Sequence, residues 1–234
     1  MRTLAFDCTG PIVTVGLAEQ QKPLGRWDRP SEKGRGNTLD MLIVKSLADV
    51  GWRRGDVAGL ALVTGPGSLT AMRIGWATAS GWAQAAGIPV TGWPTPVVQH
   101  RQWAQGMQSQ SGGPASPAEI TFCLIHHRGD QFCCYTLEDS APSSRPDAVT
   151  LGQWRPNGQY PVRLVGPGIL GYRERWRSAL GERARLVEDQ DAIVGGDTLA
   201  LWGEMELERG NILRPDQSPL DYGLPPEFKK KSER

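Results

Sequence analysis

The segment between Gly65 and Gln99 carries a single charged residue, Arg73. Its first part has the periodicity of a helix over residues 68–86, and one stripe of that helix consists of Leu69, Met72, Trp76, Ala79, Ala83 and Ala86. The residues off this stripe are also apolar or small, whereas a surface helix normally has a polar face. The predicted helix therefore needs cover on two sides. One side packs on its own sheet, and the other contacts either another lobe of this chain or a second protein chain.

A second predicted helix, over residues 37–50, has the same property. Leu39, Ile43, Leu47 and Val50 form one stripe, while Met41, Val44 and Ala48 form another. Two neighbouring helices with apolar outer faces predict a helix–helix docking surface, and small residues in the second helix permit close approach. The residues predicted to form this surface are Met41, Val44, Lys45, Ala48, Leu69, Met72, Arg73, Trp76 and Ser80.

Arg73 itself allows two interpretations. Its aliphatic stem can extend along the helix so that the guanidinium reaches solvent or an internal carboxylate. Alternatively, the guanidinium pairs with a carboxylate of a partner protein, a contact for which its planar donor geometry is suited.

The order of predicted elements indicates the fold class. Strands are predicted over 2–7, 11–18, 22–29, 58–64 and 88–92, with helices over 37–50 and 68–86. The first three strands are joined by short turns and so form an antiparallel meander, because parallel neighbours need longer crossovers. This order is that of one half of an α/β actin–hexokinase-like (ribonuclease H-like) fold.

The second half begins in the same way and then becomes irregular. After a helix near 95–105, residues 105–119 are rich in Gly, Ser, Gln and Pro and are predicted to be a linker. A hairpin (120–127 and 131–138), a strand (162–166) and helices (169–180 and 197–209) follow. We therefore expect a complete first lobe over 1–104, a reduced second lobe over 120–210, and a tail over 211–234 that wraps or frays.

Bulk composition excludes several classes of protein. Lys plus Arg is 26 against 25 for Asp plus Glu, a net charge of +1, which argues against a chain that binds nucleic acid alone. The four cysteines lack CxxC spacing and are expected to be reduced and buried. No signal peptide or membrane span is evident, so we expect a cytoplasmic protein that does not contact a membrane.

The segment GPGSLTAMRIGWATASGWAQAAGIPVTG (residues 65–92) resembles the GPGSFTGLRIGxAxAKGLAxxxxIPxxG segment of the TsaB (YeaZ) family. The N-terminal LAFDCTG is similar to that family's LAIDTST, and SPLDYGLPPEFKKK is weakly similar to its C-terminal tail. The resemblance is strong over residues 1–100 and faint over 101–234. Ala71, Arg35-Gly36-Asn37 and His126-His127-Arg128 depart from the family pattern, so the chain is identified as a divergent member.

This resemblance implies a non-catalytic subunit of the machinery that attaches a threonylcarbamoyl group to adenosine of tRNA. The implied partner is the catalytic TsaD-like subunit, bound as a heterodimer, and a TsaE-like ATPase is a further implied partner. Contact with tRNA is expected only indirectly, and the same surface is expected to form a homodimer when the partner is absent.

We expect no metal and no cofactor of its own. TsaD holds its metal through a helical HxxxH pair, whereas His100, His126 and His127 do not have that spacing. ATP binding at Asp7, Thr9 and Gly10 is the alternative, with GPGILGY (166–172) as the candidate second phosphate loop.

Three other functions therefore stay open. The chain can be a small actin-like ATPase or kinase, a glycoprotease-like hydrolase, or a self-associating structural protein. The hydrolase lacks support from any Ser/His/Asp or HExxH arrangement in the sequence.

Overall fold

A computed structural model describes residues 1–31, 38–109, 119–158 and 160–224. The chain forms two five-stranded sheets with helices packed on them. In chain order the elements are β1 (Arg2–Asp7), β2 (Ile12–Glu19), β3 (Lys22–Pro30), α1 (Thr38–Asp49), β4 (Gly59–Gly65), α2 (Leu69–Ala86), β5 (Val90–Pro94), α3 (Thr95–Ser109), β6 (Ile120–Arg128), β7 (Gln131–Leu137), β8 (Asp147–Thr150), β9 (Val162–Val165), α4 (Arg173–Leu180), β10 (Ala184–Leu186) and α5 (Gly196–Glu208).

The first sheet has the strand order β3-β2-β1-β4-β5. Short turns join β1, β2 and β3, which pair antiparallel. Helical crossovers place β4 parallel to β1 and β5 parallel to β4. The predicted meander and first half-fold are thus confirmed, with strand and helix bounds close to those expected from the sequence.

The second sheet repeats this arrangement, with the order β10-β9-β6-β7-β8. Two of its strands, β8 and β10, were not predicted because they contain only four and three residues. The reduction of this lobe lies in its helices: α4 has 8 residues where α2 has 18, and the described residues between β8 and β9 contain no helix. The predicted actin–hexokinase-like two-lobe fold is confirmed.

The two faces of the first sheet carry side chains of different size. Leu4, Phe6 and Leu62 belong to the apolar core that includes residues of α1 and α2. Ala5 and Ala61 belong to the opposite core, which includes residues of α5. Since successive residues of a strand point to opposite faces, this alternation gives one face bulky side chains and leaves the other flat enough for close helix packing.

Helix α5 packs on the first sheet, although its position in the sequence predicted that it belongs to the second lobe. A Cβ added to Gly16 would lie 1.9 Å from the carbonyl carbon of Gly196, so the start of α5 touches the backbone of β2. The Gly196 N–H also donates to Thr14 Oγ1 at 2.9 Å. The predicted extent of the second lobe, 120–210, is therefore wrong at its C-terminal end. Helix α5 belongs to the first lobe, because its first residue is in direct backbone contact with β2.

Helix α3 corrects the predicted linker over 105–119. The helix continues to Ser109, so the first part of that range is helical, and residues 110–118 lie outside the described residues. Val98 of α3 packs in the core of the first lobe, while Trp103 contacts that of the second. Helix α3 therefore bridges the two lobes.

The described part of the predicted tail, residues 211–224, wraps over the first lobe instead of fraying. The Leu213 N–H donates to the Val90 carbonyl at 2.7 Å, and the Asp221 N–H donates to the Thr64 carbonyl at 3.0 Å. Leu224 then packs against the core of the second lobe. The lysine run 229–231 lies outside the described residues.

None of the helices in the described part of the chain is both long and apolar enough to span a lipid bilayer.

Gly16→Ala is expected to lower the free energy of unfolding by about 1–3 kcal/mol or more, because the added methyl group overlaps the backbone of Gly196. Urea denaturation monitored by tryptophan fluorescence measures the loss. Gly55→Ala is the matched control, since its added Cβ meets nothing within 4 Å. Equal stability of the two variants would contradict the backbone contact.

Candidate functional site

Helices α1 and α2 each expose large apolar side chains. Met41 is 49% exposed, Val44 is 54% exposed and Leu69 is 47% exposed. Four other large hydrophobic residues are exposed elsewhere in the described part of the chain: Leu24, Tyr160, Ile212 and Tyr222. Lys45, Ala48 and Arg73 are also exposed on these helices. We call the six residues Met41, Val44, Lys45, Ala48, Leu69 and Arg73 the helix face.

Three other residues predicted for this surface lie deeper. Met72 is 2% exposed, so its assignment to the docking surface was wrong: helix α2 buries Met72, Gly75, Ala79 and Ala83 as its inner stripe. A Cβ added to Gly65 would lie 2.6 Å from Met72 Sδ, which shows how closely that side chain packs under the preceding turn. Trp76 and Ser80 are half-buried at the edge of the helix face.

A groove separates α1 from α2 on this outer side. It has a volume of about 550 Å³ and includes Asp40 of α1 with Gly81 and Trp82 of α2. The Arg54 guanidinium lies 5.8 Å from the Trp82 ring centroid, and both residues line the groove. Small residues on one wall leave the α2 backbone open to close approach by another helix.

The Gly-Pro-Gly turn before α2 is fixed by contacts with the first strand. Gly65 has a φ of +104°, a conformation that glycine adopts without strain. A Cβ added to Gly67 would lie 2.4 Å from the Thr9 carbonyl oxygen, and the Ser68 N–H donates to that oxygen at 2.8 Å. Ser68 occupies the N-cap position of α2, but its side chain makes no cap hydrogen bond.

A cleft of about 1160 Å³ lies between the two lobes, where β1, β4, β6 and β9 end. Thr9, Gly10, Leu69 and Arg73 line it on the first lobe, and Tyr172 lines it on the second. Two members of the helix face, Leu69 and Arg73, therefore also border the interlobe cleft. Arg73 makes no ion pair with any residue that the structure describes.

The turn proposed for nucleotide binding is bound internally. Asp7 is buried, and its Oδ1 accepts the Thr9 N–H at 2.7 Å. Burial raises the pKa of this carboxyl group, and the hydrogen bond from Thr9 offsets part of that rise. A Cβ added to Gly10 would lie 3.4 Å from Pro167 Cβ, so the second lobe closes over the turn.

The GPGILGY segment, the candidate second phosphate loop, has a packing role. A Cβ added to Gly168 would lie 2.6 Å from the Leu124 carbonyl carbon, and one added to Gly166 would lie 2.8 Å from the Leu124 oxygen. These glycines allow the segment to lie against β6, and Pro167, Leu170 and Tyr172 of the segment line the cleft. The phosphate loop at this segment stays a prediction.

His100 and His126 contact residues of the second lobe. His100 Nε2 lies 2.7 Å from the Glu138 carbonyl oxygen, and His126 Nε2 lies 3.1 Å from Tyr172 Oη, with the two rings stacked. His126 and His127 both line the cleft. Among the described residues, no three His, Cys, Asp or Glu side chains lie close enough together to hold a metal ion.

The four cysteines are free and buried, as the sequence predicted. Burial raises the pKa of Cys8 to about 12, so this residue is a neutral thiol at physiological pH.

Asp7→Asn is expected to raise the free energy of unfolding at pH 7 by on the order of 1 kcal/mol. Because the pKa of Asp7 is raised on folding, the folded chain loses stability as pH rises from the ordinary aspartate pKa through the raised value. Asparagine removes that loss, and its amide oxygen still accepts the Thr9 N–H.

Urea unfolding at pH 7 and at pH 3 tests this prediction. The gain should vanish at pH 3, where Asp7 is protonated in both states. Asp139→Asn, at an exposed position, is the control and should change stability at neither pH. A destabilised Asp7→Asn variant at pH 7 would contradict the prediction.

Comparison with known proteins agrees with this geometry. The model of the TsaD family, tRNA N6-adenosine threonylcarbamoyltransferase, matches residues 32–98. An uncharacterized protein of Mycobacterium tuberculosis is 31% identical over 91 residues, which cover 38% of this chain and 43% of that protein. The matched segment is thus less than half the length of this relative.

Solved structures extend the similarity to the whole fold. YeaZ from Pseudomonas aeruginosa superimposes with a TM-score of 0.67 at 21% identity, covering 94% of this chain and 99% of that chain. The activator of 2-hydroxyisocaproyl-CoA dehydratase from Clostridium difficile, solved with bound ADPNP, gives a TM-score of 0.52 at 10% identity, covering 92% and 99%. The resemblance predicted from the sequence is confirmed: in fold the chain is similar to YeaZ (TsaB) over nearly its whole length, and residues 32–98 match the TsaD family model.

Proposed function

We propose that this chain is a non-catalytic subunit that supports threonylcarbamoyl transfer to adenosine of tRNA by binding a TsaD-like catalytic subunit. The fold of YeaZ and the family match over residues 32–98 support a role in this tRNA modification. The observation that carries the proposal is the exposed helix face, with Met41, Val44 and Leu69 each close to half exposed.

The helix face has the properties of a protein interface. Burying apolar surface contributes roughly 25 cal/mol per Å², and adjacent exposed apolar side chains mark sites of association. The groove beside Gly81 can accept a ridge of side chains from a partner helix, as in packed helix pairs.

The family match also indicates the shape of the partner. The matched range 32–98 runs from the residues before α1 to α3, and so contains the whole helix face. A TsaD-like partner has an equivalent segment, so the two chains can associate through corresponding helices around an approximate two-fold axis. In the absence of this partner, the same face of two copies would form a homodimer.

In this role the partner supplies the catalytic groups and the contacts with tRNA. The formal charge of +1 supports an indirect contact, because a chain that binds nucleic acid alone usually carries a basic excess. A TsaE-like ATPase is proposed as a further member of the assembly.

Leu69→Asp and Val44→Asp are each expected to weaken binding to a purified TsaD-like subunit by at least tenfold, about 1.4 kcal/mol, because binding would bury an unpaired carboxylate. Leu24→Asp is the matched control, since Leu24 is 40% exposed but lies on β3. Calorimetry measures the affinities of the parent chain and the three variants, after each has been shown to be folded. Equal affinity of all three variants, or no binding by the folded parent chain, would refute the proposal.

Arg73→Ala is expected to weaken the same complex by about tenfold, because its guanidinium has no ion pair within the described chain and is free to meet a partner carboxylate. Arg73→Lys should restore part of the affinity, since it keeps the charge but not the paired donors. The salt dependence of binding should fall in Arg73→Ala. Unchanged complex formation would contradict this role and would indicate that the Arg73 guanidinium contacts solvent instead.

Nucleotide binding is the second candidate, favoured by the position of Thr9 and Gly10 on the wall of the cleft. Titration of the isolated chain with ATP or ADP and Mg²⁺ tests it, together with an assay of ATP hydrolysis. Saturable binding, with hydrolysis lost in Asp7→Ala, would favour a small actin-like ATPase over the proposed subunit role.

A further inference from the structure

We propose that residues 211–224, which we call the strap, act as a latch that holds the second lobe against the Gly-Pro-Gly turn at the head of α2. The strap starts after α5, crosses the edge of the first sheet and ends in the interlobe cleft. Its release would free the two walls of that cleft to separate.

The first end of the strap is anchored on the first lobe. The Leu213 N–H donates to the Val90 carbonyl at 2.7 Å, which fixes the strap to the edge strand β5. Leu213 also packs against the core formed with α1 and α2. Further along, the Asp221 N–H donates to the Thr64 carbonyl at 3.0 Å, and the Asp221 oxygen occupies the space that a Cβ on Gly65 would need.

The other end is anchored on the second lobe. A Cβ added to Gly223 would lie 3.0 Å both from Cys133 Sγ and from Pro66 Cβ, so this one residue touches both lobes. Leu224 packs against the core that contains Cys133. The Asp221 side chain fixes the bend between these anchors, since its Oδ1 accepts the Gly223 N–H at 2.8 Å.

The place at which the strap contacts the second lobe determines which motion it can restrain. Helix α3 contacts the second lobe through hydrogen bonds: Gln99 Nε2 donates to the Ala192 carbonyl, and His100 contacts the Glu138 carbonyl just after β7. Trp103 of α3 also packs against the core that contains Cys133. The strap adds a contact near the start of β7, where Gly223 lies between Cys133 and Pro66 of the first lobe. A rotation about α3 that separates Pro66 from Cys133 must therefore first break the strap contacts.

The latch connects two elements that are far apart in sequence. On one side is the turn of residues 65–68, which sets the position of α2. On the other is the β6–β7 hairpin, whose residues 125–128 line the cleft. We infer that a change at either element is transmitted to the other through residues 221–224.

Gly223→Cys in the full chain provides a reversible test. A disulfide with an S–S bond of about 2.05 Å places each Cβ roughly 3 Å from the opposite sulfur, which is the separation available between position 223 and native Cys133. Burial raises the pKa of Cys133, so the reaction needs alkaline pH to form the thiolate. An added oxidant accepts the two electrons released when the two thiols form a disulfide. Comparing oxidised with reduced protein cancels any strain from a side chain at the positive φ of Gly223.

The readout is amide hydrogen exchange of peptides covering residues 65–72 and 125–133. Oxidation should slow exchange in both peptides by about fivefold or more, as expected when an opening equilibrium is suppressed. Gly223→Cys combined with Cys133→Ser, and Ser218→Cys at an exposed strap position, are controls that should show no response to oxidant.

Asp221→Ala tests the released state. Loss of the bend contact should speed exchange in residues 125–133 by about fivefold, whereas Asp221→Asn, which keeps the acceptor oxygen, should match the parent chain. Failure of the Gly223→Cys variant to form a disulfide with Cys133 under oxidant would overturn the latch. A response confined to residues 221–224 would overturn it equally, and neither readout depends on a partner protein.

Discussion

The direct backbone contact between β2 and the start of α5 is the constraint on which the arrangement of the lobes depends. Gly16 and Gly196 meet with no room for a side chain on either, and Thr14 fixes the first N–H of the helix. Because α5 follows the last strand of the second lobe but packs on the first sheet, the chain must pass between the lobes at this point. The path of residues 211–224 starts from that return, because these residues leave the end of α5 on the first lobe.

Local patterns in the sequence were sufficient to predict the first lobe. Its strands alternate between large and small residues, and its helices have apolar stripes of ordinary length, so element type and order could be derived from periodicity. The short strands β8 and β10 could not, because three or four residues carry too little pattern to distinguish a strand from a loop. Their partners, β7 and β9, determine their conformation through hydrogen bonds between strands.

Some features of the candidate site could likewise be predicted from the sequence, and others could not. Exposure of Met41, Val44 and Leu69 could be predicted because the helices carry more apolar residues than one buried stripe can use. The burial of Met72 could not, because the inner stripe of α2 includes Gly75, and a close backbone approach has no signature in hydrophobicity. The sequence left open whether the strap wraps or frays, and its specific contacts could not be predicted for a related reason. Its contacts with Thr64, Pro66 and Cys133 join residues far apart in sequence, and its own composition is that of a loop.

The Gly-Pro-Gly turn occurs twice, after the fourth strand of each sheet in chain order. Residues 65–67 follow β4 and press on the carbonyl of Thr9 just past β1, while residues 166–168 follow β9 and press on the backbone of Leu124 in β6. β1 and β6 are the first strands of their sheets, and the two sheets share one strand order. The molecule therefore has the form of an internal duplication, in which both lobes contain the same Gly-Pro-Gly turn between a strand and a helix. In the first lobe this turn precedes a long helix with an apolar outer side, and in the second it precedes a short helix rich in arginine. The two lobes therefore have the same strand order but present different surfaces.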